Sequence, residues 1–178
     1  MNGNKALKRF IVSFALIIIF FVLQTTVFQW ISFGGIVPNL LIILSSTYGF
    51  MRGDRAGLLM GLCCGLLADI FFGSFIGLNA ILFMYIGYLN GKFHQVFYPE
   101  EIKLPFILII SSDFIYLIIY YILMFLLRGR FDFSYYFVKI IIPEVVYTGL
   151  VTLIIYPLLL LIHKKLTHNI KKRGMKFV

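Results

Sequence analysis

The sequence predicts an all-α, polytopic membrane protein of six transmembrane helices, on three observations. Of its 178 residues, 61% are hydrophobic and only 13% are charged. Apolar stretches of about 15–23 residues without Lys or Arg recur along the chain, and runs of roughly 18 or more read as membrane spans. The charge is also placed in a telling way. Lys and Arg sit at the ends of the apolar segments, so the formal net charge of +9 follows membrane topology and does not mark a nucleic-acid surface.

The first span covers residues 10–30. Lys5, Lys8 and Arg9 precede it as in a signal peptide, but no small-residue cleavage site follows, so it reads as an uncleaved first helix. The second and third spans cover 36–51 and 56–72, and the fourth 77–89, extending toward Gly91. These middle three are about 20–25 Å long against a hydrocarbon core of roughly 30 Å, so they borrow length from their flanks or sit inside the bundle. The fifth and sixth spans cover 105–127 and 140–162. Pro105 and Pro143 fall in their first turns, where proline is tolerated, and Pro157 predicts a kink in the sixth. A basic tail, 163–178, completes a single domain over 1–178. Its simplest role is a topology anchor, with anionic lipid head groups as natural contacts.

Orientation follows from the basic residues. With the first end inside, thirteen Lys and Arg fall in cytoplasmic segments and three, Arg128, Arg130 and Lys139, fall outside. Both termini are therefore expected in the cytoplasm. Trp30, Tyr98, Tyr135 and Tyr136 fall near the predicted interfaces, where amphipathic rings settle.

The third span carries the most informative pattern. Read by fours, Gly57, Gly61, Gly65 and Asp69 share one face, with Gly73 next in register beyond the helix end. Small residues at that spacing let helix backbones approach closely in lipid. Asp69 therefore belongs to a packing face. Two readings of it stay open. In one it accepts hydrogen bonds from a neighbouring helix, with Asn79, Gln24, Thr25, Thr26 and the free amides around Gly73 as donors. In the other it binds an ion, a substrate or a partner, as intramembrane carboxylates often do. Gly73 and Gly77 flank a short turn and permit a tight reversal into the fourth helix. On the packing reading, Asp69→Asn keeps much of the fold and Gly65→Leu impairs assembly.

Two further acids lie in the spans. Glu144 follows Pro143 at what reads as a helix N-terminus, where unpaired amides favour negative charge. Asp113, after Ser111 and Ser112, lies about a third of the way into its helix and is the harder one to assign to the fold. Catalytic patterns are missing. No Gly-x-Ser-x-Gly elbow or phosphate-binding Gly-Lys-Ser/Thr loop occurs, and Ser74 has no His partner on its side. His94, His163 and His168 form no metal-ligand pattern, and adjacent Cys63 and Cys64 point about 100° apart on a helix. Neither an enzyme nor a cofactor is expected.

A family resemblance rests on several of these elements in order. The first helix ends in Gln24-Thr25-Thr26, Pro38 to Leu41 opens the second, and Arg52 to Arg55 makes a basic turn. Then comes "GLLADIFFGSFIGLNA", with Asp69, Gly73, Gly77 and Asn79, and a proline-led last helix with a basic tail. Over essentially its whole length the chain resembles the MreD family, rod-shape-determining membrane proteins of bacteria. The resemblance implies a non-enzymatic scaffold of the elongation machinery in the cytoplasmic (inner) membrane. It would regulate peptidoglycan synthesis by binding MreC, and through MreC the RodA glycosyltransferase, its penicillin-binding transpeptidase and MreB filaments. The lipid bilayer is its solvent, and a homo-oligomer is compatible with it. It also implies a fold similar to the substrate-binding subunits of energy-coupling-factor transporters. The alternative function is therefore a vitamin-binding subunit of such a transporter, with Asp69, Asn79, Asp113 and Glu144 lining an outward pocket. Such a subunit favours a small-residue stripe on its first helix, where this chain has Ser13 and Ala15 followed by a bulky run. Gln24, Asp113 and Glu144 are the residues left for a partner or a pocket.

Overall fold

The computed structural model describes residues 3–32, 34–73, 75–96, 102–128 and 133–175. Ser74, Tyr98 and Arg130, singled out above, lie outside the described residues. Six main helices and no strand are seen among the described residues. They are α1 (Gly3–Val22), α2 (Leu40–Arg52), α3 (Asp54–Phe72), α4 (Leu78–Lys92), α5 (Lys103–Arg128) and α6 (Ile142–Met175). Among the described residues, four stretches are long and apolar enough to cross a membrane: Phe10–Trp30, Asp54–Phe72, Lys103–Met124 and Phe133–Lys165. At thirteen and fifteen residues, α2 and α4 are shorter.

Local chemistry sets the boundaries. Beyond Val22 the first helix widens into a π-turn over Leu23–Val27 before a last turn, Phe28–Trp30. There the Thr25 hydroxyl donates to the Phe21 carbonyl at 3.0 Å and that of Thr26 to the Val22 carbonyl, competing with the backbone ladder. The second helix starts at Leu40, later than the expected 36, because Pro38 disfavours helix before it and the Asn39 side chain caps Ile42 N at 3.2 Å. A single residue, Gly53, separates α2 from α3. Its φ of +93° allows the sharp reversal.

The sixth helix departs most from expectation. Helical backbone begins at Phe133 and passes through a π-turn, Phe137–Ile141, directly into α6. Pro143 is therefore not in a first turn. It has no N–H to give to the ladder, and the π-turn immediately before it, with Ile142 N reaching back to the Phe137 carbonyl, absorbs the mismatch. Glu144 accordingly does not sit at a free helix N-terminus. The helix also continues beyond Ile162 to Met175, through most of the segment expected as a tail.

Helix α2 is the centre of the bundle: Leu40 to Thr47 are all at most 2% exposed. On one side it meets α3 and α4, which pack against each other as an antiparallel hairpin, and on the other α5 and α6. Leu16, Ile17 and Phe20 bring α1 onto this core. Large apolar side chains such as Phe10, Ile18, Ile70, Ile107 and Ile154 stay exposed on the outer faces. An apolar surface this extensive suits lipid as solvent.

Candidate functional site

The chemistry-bearing residues fall into three groups, and the α3–α4 seam holds the largest. A Cβ built at Gly57 would lie 2.1 Å from the Gly87 carbonyl oxygen, one at Gly61 2.0 Å from that of Phe83, and one at Gly65 2.4 Å from that of Asn79. Real Cβ atoms do not come so close, so the two backbones touch directly along three turns. The opposing strip is built by Ala80, Gly87 and Gly91, and Gly49 of α2 enters the same junction against Gly87. The spacing of Gly87 and Gly91 carried the signal for α4, but the sequence reading looked for the stripe on one helix only.

Asp69 closes the outer end of this seam. It is 1% exposed and accepts three backbone N–H donors: Gly77 at 2.9 Å and Ala80 at 2.9 Å on one oxygen, Asn79 at 3.0 Å on the other. These are orphan amides at the start of α4, so a side chain from the preceding helix caps it. The negative charge also meets the positive end of the helix dipole. Gly77 precedes the helix with φ +102°, which favours glycine, and Gly73 terminates α3 by donating to the Asp69 carbonyl at 3.0 Å. The donors to the carboxylate are therefore amides at Gly77 to Ala80. Gln24, Thr25 and Thr26 are elsewhere. The side chain of Asn79 faces α5, where Tyr116 donates its phenol hydrogen to Asn79 Oδ1 at 2.9 Å.

A second group satisfies the start of α2. Gln24 Oε1 accepts from Leu41 N at 3.3 Å, and Asn39 N donates to Thr148 Oγ1 at 3.1 Å. Lower in the bundle Asn90 Nδ2 donates to the Ile86 carbonyl at 2.9 Å and to Ser112 Oγ at 2.7 Å. Tyr116, Thr148, Asn90 and Ser112 were not singled out from sequence. Lone polar residues in apolar helices give no periodic signal.

The third group lies between α5 and α6. Asp113 is 0% exposed, and neither carboxylate oxygen has a hydrogen-bond partner. The Thr148 hydroxyl lies beside it without closing a bond, and Glu144 is the neighbouring acid. Glu144 is half-buried and, with Lys139, lines an open groove beside Gly34 and Gly35. Of the four residues assigned to a transporter pocket, Asp69 is closed off under three amides, Asn79 is bonded to Tyr116, and Asp113, though next to Glu144, is fully buried and does not line its groove.

This arrangement ties helices together. Among the described residues, no three of His, Cys, Asp and Glu gather to hold a metal. The class is a helical membrane protein whose interior polar groups mostly bind its own backbone and one another. The profile of the family described as rod shape-determining protein MreD matches residues 5–166, and the chain belongs to that family. No curated protein and no solved structure matches it. It is thereby a cell-shape-determining membrane protein.

Proposed function

We propose that the chain is a six-span scaffold of the bacterial cytoplasmic membrane, with both ends inside. In this reading it docks MreC and, through MreC, links RodA, its penicillin-binding transpeptidase and MreB to control wall synthesis. The observation that carries it is the division of labour in the bundle. The seam between α3 and α4 satisfies its own polar groups, while the outer faces of the helices stay apolar and exposed, as at Ile18 of α1, Ile70 of α3, Ile107 of α5 and Ile154 of α6. That is what a rigid docking body needs, and the family membership supplies the process.

Spanning by the short α2 has physical support. Thirteen helical residues give about 20 Å, and the four preceding residues, 36–39, add roughly 13 Å if extended, which together match a ~30 Å core. Non-helical backbone at that depth is tolerated where the protein satisfies it, and Gln24, Asn39 and Thr148 do so here. In this reading Gly57, Gly61, Gly65, Asp69, Gly73, Gly77 and Asn79 position α3 and α4. Gln24 positions α2, Glu144 at its open groove is left for a partner, and the fully buried Asp113 for a role inside the bundle.

The test is a mild-detergent pull-down of the tagged chain with co-purifying proteins identified by mass spectrometry. Recovery of a bitopic protein with a periplasmic domain, together with the wall synthases, is the expected result. Recovery of a coupling subunit with ATPases, or of no membrane partner, would overturn the proposal.

A further inference from the structure

The side of the bundle away from the seam carries a crevice of about 290 Å³ between α1 and α3. Its walls are apolar, among them Phe14, Ile17, Leu59 and Cys63. Among the described residues its one charged lining group is Arg52, the last residue of α2, and no carboxylate lines it. The guanidinium is held in place: it lies 4.6 Å over the Tyr48 ring and donates to the Tyr48 hydroxyl, which also bonds Ser13 of α1. A cation fixed at the mouth of a greasy slot is an amphiphile's complement.

We propose that this crevice binds one acyl chain of an anionic phospholipid, with Arg52 holding the headgroup phosphate at the membrane boundary. The dimensions admit that occupant. The lining of α3 runs seven residues from Ala56 to Cys63, about 10 Å at 1.5 Å per residue, within the ~15 Å of one leaflet's hydrocarbon. The volume is about twenty times what one water needs on the same measure. On the other side of Arg52 and Tyr48, the space beside Thr47 is only about 20 Å³, enough for about one water and no chain. The lipid therefore enters from the α1–α3 side. Arginine's planar fork suits a phosphate, and basic pockets between membrane helices favour anionic head groups. Placement in the inner leaflet rests on the orientation proposed above; the binding itself does not.

The full chain is purified in mild detergent, incubated with equimolar phosphatidylglycerol and phosphatidylcholine, and weighed by native mass spectrometry. One phosphatidylglycerol should be retained over phosphatidylcholine by about fivefold, the equivalent of ~1 kcal/mol. Arg52→Gln should erase that preference, and Arg52→Lys should keep most of it. The exposed neighbour Arg55, which does not line the crevice, serves as control, and Arg55→Gln should change nothing. If Arg52→Gln fails to fold, Cys63→Trp decides. It fills the slot from an exposed position, leaves Arg52 in place, and should reduce retention of both lipids. No preference in the wild type, full preference in Arg52→Gln, or full retention in Cys63→Trp would each overturn the proposal. A co-purified polypeptide segment in the slot instead of lipid would do the same. These readouts use the isolated chain, so they fail independently of partner recovery.

Discussion

The outer end of the α3–α4 hairpin and the interior of the α5–α6 pair each bury an aspartate, and the bundle treats the two in opposite ways. Asp69, 1% exposed, receives three amide hydrogens at 2.9–3.0 Å. Asp113, 0% exposed, receives none. Around Asp69 the backbones are in direct contact, whereas Gly149 of α6 faces flexible side chains, with Ile110 Cδ1 3.2 Å from a Cβ built there. Burial of a charge is thus no guide to its role until its donors are counted. The first aspartate completes a helix start and belongs to the fold. The second serves no backbone group, so a role for it has to be sought outside the backbone ladder.

The largest effect should come from the glycines, and it should divide the two regions. A Cβ at Gly61 would meet the Phe83 carbonyl oxygen at 2.0 Å and its carbon at 2.6 Å, atoms that cannot rotate away. Gly61→Ala must therefore push α3 and α4 apart along the whole seam. A loss above ~4 kcal/mol is expected, read as missing monodisperse protein in gel filtration. Gly149→Ala meets a movable Ile110 tip and should cost under ~1 kcal/mol in thermal unfolding. Similar losses for both would remove the distinction between the regions.

Asp69→Asn comes next. The sequence suggested that this change keeps much of the fold, on the assumption of a simple acceptor. The structure revises that, because both carboxylate oxygens are in use. An amide keeps one acceptor and turns an N–H₂ toward a backbone N–H, so a loss of about 2–4 kcal/mol is expected, measured by thermal unfolding in detergent. An unchanged melting temperature would mean that the amides at the start of α4 find other partners.

Tyr116→Phe probes the link between the regions, since the phenol of α5 donates to Asn79 of α4. Its ring also packs against Phe83, with centroids 5.2 Å apart, and that contact survives the change. Only the hydrogen bond is lost, for about 1 kcal/mol. A double-mutant cycle with Asn79→Ala checks it: the two losses should fall well short of adding.

How much of this was legible beforehand follows from what each residue advertises. Gly57, Gly61, Gly65 and Asp69 recur every four residues, and a period is visible in one dimension. The segments rich in Leu, Ile and Phe were equally plain. Helix starts were harder: α2 begins at Leu40 because of a cap whose members, Gln24, Asn39 and Thr148, are scattered over three segments. The continuous helix through Pro143 was missed because proline reads as a beginning, and only a π-turn upstream lets it pass. Tyr116 was unreadable for a related reason. It is one aromatic among many, and its meaning depends on where α5 lies against α4.

The smallest effect on stability should come from Asp113→Asn, and it is the sharpest test of the comparison. Only the Thr148 hydroxyl lies beside the carboxylate, with no well-formed hydrogen bond to lose, and a buried acid is replaced by an amide of the same shape. Thermal unfolding should stay within about 1 kcal/mol of wild type, with any change toward higher stability. The amide still fits beside Thr148, and the site keeps its volume. A carboxylate that the fold does not need is then free to be judged by its use. In cells depleted of the endogenous protein, Asp113→Asn should accumulate normally and restore rod shape less well than wild type. Full restoration would return Asp113 to the status of a tolerated buried acid and leave the exposed apolar faces of the helices to carry the docking.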